Sequence, residues 1–485
     1  MNTIVKFFTF SMLVSLAIVG CKKNENLKDG DFDRSGNAFP DPRTAPVDSV
    51  ILPNVISSNM FLDSLHTWIV NGPTFVTNGA RLRIQAGTFI KGRKVSTSTN
   101  PSFILVTKGA KISANGTLFS PVVFTSNQKP CNRTPGDWGG LVILGNGLTN
   151  VATTTVIEGI AASYIPSSPF LSYPASIQYG GTSESDAANI DTLANVRIEF
   201  AGDILEANNE LNGLTLGAVG SASRLENIQV SWGADDGYEF FGGSVNARNL
   251  VSYGNNDDDF DFDQGYQGTI QFAVGLKVPC INPPYSSNPN GIECNNVTSP
   301  VTTVNTRKTH PVLANFTLLG TSTVPAPTAG TGVVFRAAAD YTMVNSVIGG
   351  FSTAVNTWSA GTAFTTGGNS IHGFSAFPIR LGITGSFIAK DSSNNASTNT
   401  ALRLASPFSI SCACGTSAIP DFRYIAGSVA ASGAVAKPSV SHPGGVFPAA
   451  GSLTTTTYVG AEPIVSGSRW DIWRWVSYFP QGNGY

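Results

Sequence analysis

Apolar and polar residues alternate in short bursts along most of this chain, and the bursts recur. In 195–200, Val196, Ile198 and Phe200 fall on one side and Arg197 and Glu199 on the other. In 227–232, Ile228, Val230 and Trp232 match them, with Gln229 and Ser231 opposite. A period of two is that of a strand with one face in a core and one in solvent. From about residue 51 most bursts end in Gly or Asn-Gly, and no long segment keeps a 3.6-residue period. The pattern predicts many short strands and few helices.

The bursts are copies of one another. The phrase 77–82 (TNGARL) returns as 107–112 (TKGAKI), and DDGYEFFGG at 235–243 returns as DDDFDFDQG at 257–265. Asp235 falls on Asp257, Asp236 on Asp258, Tyr238 on Phe260, Glu239 on Asp261, Phe240 on Phe262 and Gly243 on Gly265. A repeat in this range means stacked units, none of which buries its apolar face alone. Asn195, Asn227, Asn249, Asn315, Asn345 and Asn369 each precede a strand-like phrase that ends at or near a Gly. Asn at a tight corner tolerates the left-handed backbone. Stacked at equivalent corners, these side chains are expected to form a hydrogen-bonded ladder. The predicted architecture is all-β, a parallel coil whose rungs lie about 4.8 Å apart.

Composition supports one long body. Apolar residues make up 41% of the 485, enough for a core, and 51 Gly with 28 Pro imply many turns. The net charge is −2 with no basic run, which argues against nucleic acid as a partner. The four histidines are scattered and have no metal-ligand spacing.

The N-terminus reads as a processing signal, residues 1–20. Lys6 is followed by a short apolar run and then by Ile18-Val19-Gly20-Cys21 and two lysines. The run is too short to span a membrane. Its end resembles a bacterial lipobox, which makes Cys21 the lipidated first residue of the mature chain. Residues 21–50 are polar and read as a flexible tether, 51–485 as the β body, 279–311 as a loop insertion and about 455–485 as a C-terminal cap. The cap reading rests on Trp470, Trp473, Trp475, Tyr478 and Phe479, which suit cover for a solenoid's open end or, as the lesser alternative, a sugar platform. An exported protein can oxidise its cysteines. Cys280 and Cys294 flank a polar, Pro-rich loop and are expected to close it as a disulfide, with the pairing of Cys131, Cys412 and Cys414 open.

The chain resembles a family of Bacteroidetes outer-membrane lipoproteins with a right-handed parallel β-helix of the pectate-lyase-like superfamily. The phrases that carry this run the length of the body: TNGARLRIQAGTFIKG, GDWGGLVILGNG, YGGTSESD, VRIEFAG, DDGYEFFGG, DDDFDFDQGYQGTIQF and RWDIWRW. Ala461-Glu462-Pro463 departs from the family pattern where an aromatic is expected. The resemblance implies the fold and a lipid-anchored, surface location at the outer membrane. It implies no activity. Asp48-Ser49-Val50, Asp63-Ser64-Leu65 and Asp191-Thr192-Leu193 also resemble the short O-glycosylation tripeptide of the same phylum.

The acidic echo is the candidate site. Asp259, Asp261 and Asp263 alternate with Phe260 and Phe262, so three carboxylates are expected on the solvent face of a strand with two rings beneath. The rung above is expected to set Glu239 against Asp261, and Asp235 and Asp236 against Asp257 and Asp258. Two like charges about 4.8 Å apart repel by roughly 3–4 kcal/mol at an effective dielectric near 20. Hard oxygen donors at this density suit Ca²⁺; a solvated acidic stripe or turn-capping aspartates would explain the same pattern. Two functions follow as expectations. The first is a non-enzymatic binding or accessory module, its partner a glycan or an outer-membrane protein such as a TonB-dependent transporter. The alternative is a Ca²⁺-dependent polysaccharide lyase on acidic glycans, with Arg197, Arg224 or Arg248 as the base.

Overall fold

The computed structural model describes residues 48–485 except 95–99, 183–189, 207–208, 282–284, 297–306, 321–329, 338, 340, 358–363, 366–370, 381–386, 392–402, 415–417, 432–433, 435–452 and 464–466. The signal, Cys21 and most of the tether lie outside the described residues. The first strand, Asp48–Ile51, begins inside the stretch read as tether, because it pairs with His66–Val70.

Twenty-six strands join in one parallel sheet that winds as a stack of rungs. Helix among the described residues is confined to three-residue 3-10 turns. Each strand pairs with its equivalents one rung before and after, which generates three faces. One face runs through His66–Val70, Phe89–Gly92 and Val122–Ser126. The next runs through Pro73–Val76, Phe103–Val106, Leu141–Leu144, Leu214–Gly217, Tyr238–Phe241, Phe260–Asp263, Ile292–Cys294 and Thr331–Phe335. The third runs through Met60–Leu62, Arg81–Ile84 and Lys111–Asn115. From Ile190 onward the third face of one rung and the first face of the next merge into single bent strands, such as Arg224–Ser231 and Asn246–Tyr253.

The bend in each merged strand is one left-handed residue. Asn195, Asn227, Asn249, Asn315 and Asn345 all have φ between 50° and 58°. Asn227 Nδ2 donates to Asn195 Oδ1 at 2.9 Å, and Asn249 Nδ2 to Asn227 Oδ1 at 2.8 Å. The expected ladder is present over these three rungs. It stops at Phe272, which takes the same corner with φ 62° and lies under the Arg248 guanidinium at 4.8 Å. Asn315 turns instead to the carbonyls of Tyr458 and Gly460. Asn369 lies outside the described residues.

The interior is a column of stacked side chains. Tyr238 stacks on Phe260 and Phe240 on Phe262, each pair at 5.1 Å between centroids. Each such pair is worth about 0.5–1.5 kcal/mol beyond its buried area.

Alternation does not mean that the outward sides are wet. On the first face Glu199, Gln229 and Ser231 are fully buried. They are covered by the C-terminal segment, expected to cap an open end. It lies along the flank instead. Trp475 and Tyr478 pack with Trp232, Tyr253 and Leu276. Gln229 exchanges two hydrogen bonds with Ser477, Arg133 donates to the carbonyls of Pro480 and Asn483, and Lys91 donates to the carbonyl of Tyr485. The physical reason is that the outward Val251, Tyr253, Val274 and Leu276 present an apolar strip too large to leave in water.

The cysteines also pair differently from the expected Cys280–Cys294. The bonds are Cys280–Cys412 and Cys131–Cys414, and Cys294 is buried and takes part in neither. Cys294 sits in register with Phe262, pointing into the core, where no second cysteine can meet it. The 279–311 stretch is accordingly not all insertion, since Ile292–Cys294 is a rung strand between Phe260–Phe262 and Val333–Phe335.

Candidate metal centre

The acids owe their alignment to the register of the second face. Thr215, Glu239, Asp261, Glu293 and Val334 follow one another at the same outward position. Three consecutive rungs therefore present a carboxylate in one column, below Thr215 and above Val334. The rings on either side of Glu239 and Asp261, and Ile292 and Cys294 beside Glu293, point inward and hold the column in place.

A second column runs beside it at the turn that precedes each strand. Asp236 N–H donates to Asn212 Oδ1 at 3.2 Å, Asp258 N–H to Asp236 Oδ1 at 2.8 Å, Asn290 N–H to Asp258 Oδ1 at 2.5 Å, and Thr331 N–H to Asn290 Oδ1 at 2.9 Å. Each Asx side chain thus accepts the backbone amide of the next rung, and each keeps a second oxygen or an amide group for other partners. Gly237 lets the turn pass: a Cβ there would meet Asn255 Nδ2 at 2.6 Å and Asp259 O at 2.9 Å.

The two columns converge. Asp235, Asp236 and Asp257 can bring one oxygen each within 4.8 Å of one another, as can Asp236, Glu239 and Asp261, and Asp258, Asp261 and Glu293. The three groups share Asp236 and Asp261 and form a continuous acidic row. Of the sequence-predicted residues, the row contains Asp235, Asp236, Glu239, Asp257, Asp258 and Asp261. Asp259 is not in it. It precedes the strand rather than alternating within it, and its buried carboxylate takes Ser252 Oγ at 2.7 Å and faces Lys277 Nζ at 3.4 Å. Asp263 accepts the Gln264 amide at 2.5 Å and also lies outside the three groups.

The row is not the solvent-facing stripe that alternation implied. Asp236 is 8% exposed, Glu239 5% and Asp258 4%. An insertion at 145–182, outside the repeat, packs on this second face through Ile157 and Ile160, and the charge of its Glu158 adds to the repulsion on Glu239. Ser286 Oγ donates to Asp257 at 2.6 Å.

Burial and mutual repulsion act together on these groups. Burial first, then neighbouring acids, push Asp235, Asp236, Glu239, Asp258 and Asp261 well above the ordinary carboxylate range. Burial raises Asp257 and Glu293 as well, against the pull of Lys277 and Arg336. Glu158 and Asp263 are each pushed up to about 7 and Asp259 to about 6, burial leading in all three. A cluster of this kind holds either protons or a cation. The donors suit a hard divalent ion: all are oxygens, and Asp261 Oδ1 is buried without a hydrogen-bond partner.

The residue that sequence reasoning missed is Glu293. The signal was present in Ile292-Glu293-Cys294, the apolar–acid–apolar triplet of Tyr238-Glu239-Phe240 and Phe260-Asp261-Phe262. Two basic side chains stand against the row: Arg336, with Nη1 2.6 Å from Glu293 Oε1, and Lys277, whose Nζ donates to the Asp257 carbonyl. The arginines suggested as a base do not reach it. Arg197 is held by Glu199 and the Tyr485 hydroxyl, Arg224 by Glu226, and Arg248 by Thr454 and the Phe272 ring. Cys412 and Cys414 are both in disulfides.

The family model of a pectate-lyase-like β-helix domain matches residues 54–405. No curated protein and no solved structure matches the chain.

Proposed function

Since the chain belongs to the pectate-lyase-like β-helix family, we propose that it is a Ca²⁺-binding, non-enzymatic recognition module carried on a membrane by a lipid at Cys21. The observation that carries the proposal is the carboxylate column Glu239–Asp261–Glu293, flanked by Asp236 and Asp258, largely buried and with fewer basic partners than acids. The ligands would be these five side chains with Asp235 and Asp257. Bound Ca²⁺ would neutralise them and lock three rungs in register, with no redox or proton chemistry.

The membrane part of the proposal rests on the 18–21 sequence and the two lysines after it. The outer membrane, with the body outside the cell, is the location this suggests. The partner is a glycan or an outer-membrane protein, a TonB-dependent transporter among them. Calorimetric titration of chelator-stripped protein with Ca²⁺ tests the metal, and absence of heat removes it. Mass spectrometry of the mature N-terminus tests the anchor, and an unmodified chain starting elsewhere removes that. Affinity capture from native membranes tests the partner.

A second reading is a Ca²⁺-dependent lyase on acidic glycans. One observation favours it, the Arg336 guanidinium beside Glu293, where a cation-bound uronate would meet a basic group. Incubation with acidic glycans decides it. Unsaturated product that needs both Ca²⁺ and Arg336 makes the protein an enzyme.

A further inference from the structure

The N-terminal end of the stack leaves large apolar side chains in water. Ile51 is 56% exposed, Phe61 55% and Leu65 59%, all within the first rung and the turn that leaves it. Phe170 and Tyr173, 47% and 55% exposed, come to the same end, since the Phe170 carbonyl accepts from Thr77 Oγ1 of the second rung at 3.2 Å. Five of the nine exposed large apolar side chains among the described residues gather here. Ile51 lies on the first face, Phe61 on the third and Phe170 beside the second, so they surround the end instead of marking one flank. The cover that hides the first face elsewhere does not reach them. Ile51, Ile69 and Lys91 follow one another on that face, and Tyr485 lies against Lys91 and Phe89, two rungs from Ile51. Among the described residues, Asp48–Ile51, Val55–Ile56 and Met60–Leu62 also pair on one side only.

The same end is basic. Residues 48–111 hold seven Lys and Arg against two acids, Asp48 and Asp63, whereas the whole chain holds 29 against 31. Asp191 returns to Arg81 and Asp137 to Lys94, which still leaves cations in surplus, and Asp48 and Asp63 both face His66. Arg83 is exposed and stands opposite Phe61 in the ladder, and Arg93 is exposed in the third rung. Exposed apolar groups beside cations fit an anionic lipid surface. A second copy docked end to end would instead set these cations against one another. We propose that the N-terminal end of the folded body is itself a membrane-docking surface, which seats the stack end-on upon anionic phospholipid headgroups. This goes beyond the anchor at Cys21 and holds without it, because the rungs make the contact. The open strand edges of the first rung need water or phosphate as partners, so the side chains enter the bilayer while the backbone stays at headgroup level.

The test is cosedimentation of chain 22–485, made without lipid and keeping every described residue, with vesicles of phosphatidylcholine alone or mixed with phosphatidylglycerol. Binding to the mixed vesicles, weakened by salt, is expected. Phe61→Ser with Leu65→Ser is expected to weaken it by about tenfold or more, and Arg83→Ala with Arg93→Ala by about fivefold per charge. Ile419→Ser with Ile425→Ser, exposed beside Asp421–Tyr424 at the later rungs, is expected to match wild type. Absence of binding to the mixed vesicles, or full binding by either pair of variants at the N-terminal end, overturns the inference. Dimers that form without vesicles and that Phe61→Ser with Leu65→Ser dissociates would assign the surface to a second copy and overturn it as well. Each of these outcomes leaves the Cys21 anchor standing, because the chain tested carries no lipid; the anchor falls separately, on the mass of the mature N-terminus.

Discussion

Glu239 and Asp261 stand opposite each other in adjacent rungs of one parallel ladder, and Glu293 stands opposite Asp261 in the next. Water does not separate them from the protein, since Glu239 is only 5% exposed. Three aligned, largely buried acids repel one another when ionised, and a bound cation would turn that repulsion into cohesion.

Ca²⁺ is therefore expected to stabilise the fold. At a free concentration a hundred times Kd, the gain is about 2.7 kcal/mol, read as a rise in Tm by scanning calorimetry. Asp261→Asn is expected to abolish most of this rise and to raise the Tm of the chelated protein, because it removes the central charge of the column. A chelated variant that melts below wild type would show that repulsion does not dominate there.

Without metal, stability is expected to fall as pH rises from about 4 to about 7. Glu158 and Asp263 are raised to about 7 in the folded protein, while unfolded carboxylates titrate near 4. Between these values the folded state binds more protons than the unfolded state, so the stability these groups contribute is present at low pH and lost on the way up. The loss is on the order of 3 kcal/mol per group. Urea denaturation in chelator at pH 5 and pH 8 reads it, and equal midpoints would contradict it. Saturating Ca²⁺ is expected to remove most of the slope.

Asn227 is the middle member of the corner ladder, donating to Asn195 and accepting from Asn249. Asn227→Ala loses both bonds and places a Cβ residue at φ 55° without local support. A loss of about 2–3 kcal/mol is expected. Asn227→Gly keeps the conformation and loses only the bonds, so it is expected to cost less. Denaturant midpoints order the two, and a glycine variant no more stable than the alanine variant would show that the left-handed corner imposes no strain on alanine.

Peptide mapping without reduction is expected to recover Cys280 joined to Cys412 and Cys131 joined to Cys414, with Cys294 unlinked. Cys294 is also expected to resist a thiol reagent until the chain unfolds, because it is fully buried. Rapid labelling of native protein at Cys294 would mean that this rung opens.

The stack itself was legible because a coil of rungs writes each rung's needs into the sequence. Tyr238 and Phe260 fill the same inward place, Glu239 and Asp261 the same outward one, and Asn227 and Asn249 the same corner. What lay outside the repeat was not legible. Glu158 comes from an insertion with no copy elsewhere in the chain. Glu293 was hidden because its rung carries Ile and Cys where its neighbours carry aromatics, and because the preceding loop reads as polar and Pro-rich. Local alternation tells inward from outward, but it is blind to a segment that returns from far along the chain. Gln229 read as a surface residue for that reason, and Ser477 buries it.

That returning segment also sets an order of assembly. Lys91 holds the carbonyl of Tyr485, 394 positions away, and Arg133 holds Pro480 and Asn483. Early turns can form as the polypeptide emerges, yet their greasy flank stays naked until residues 454–485 have been made. During synthesis the protein is a long half-dressed column, and it is then, not once folded, that it most needs an escort.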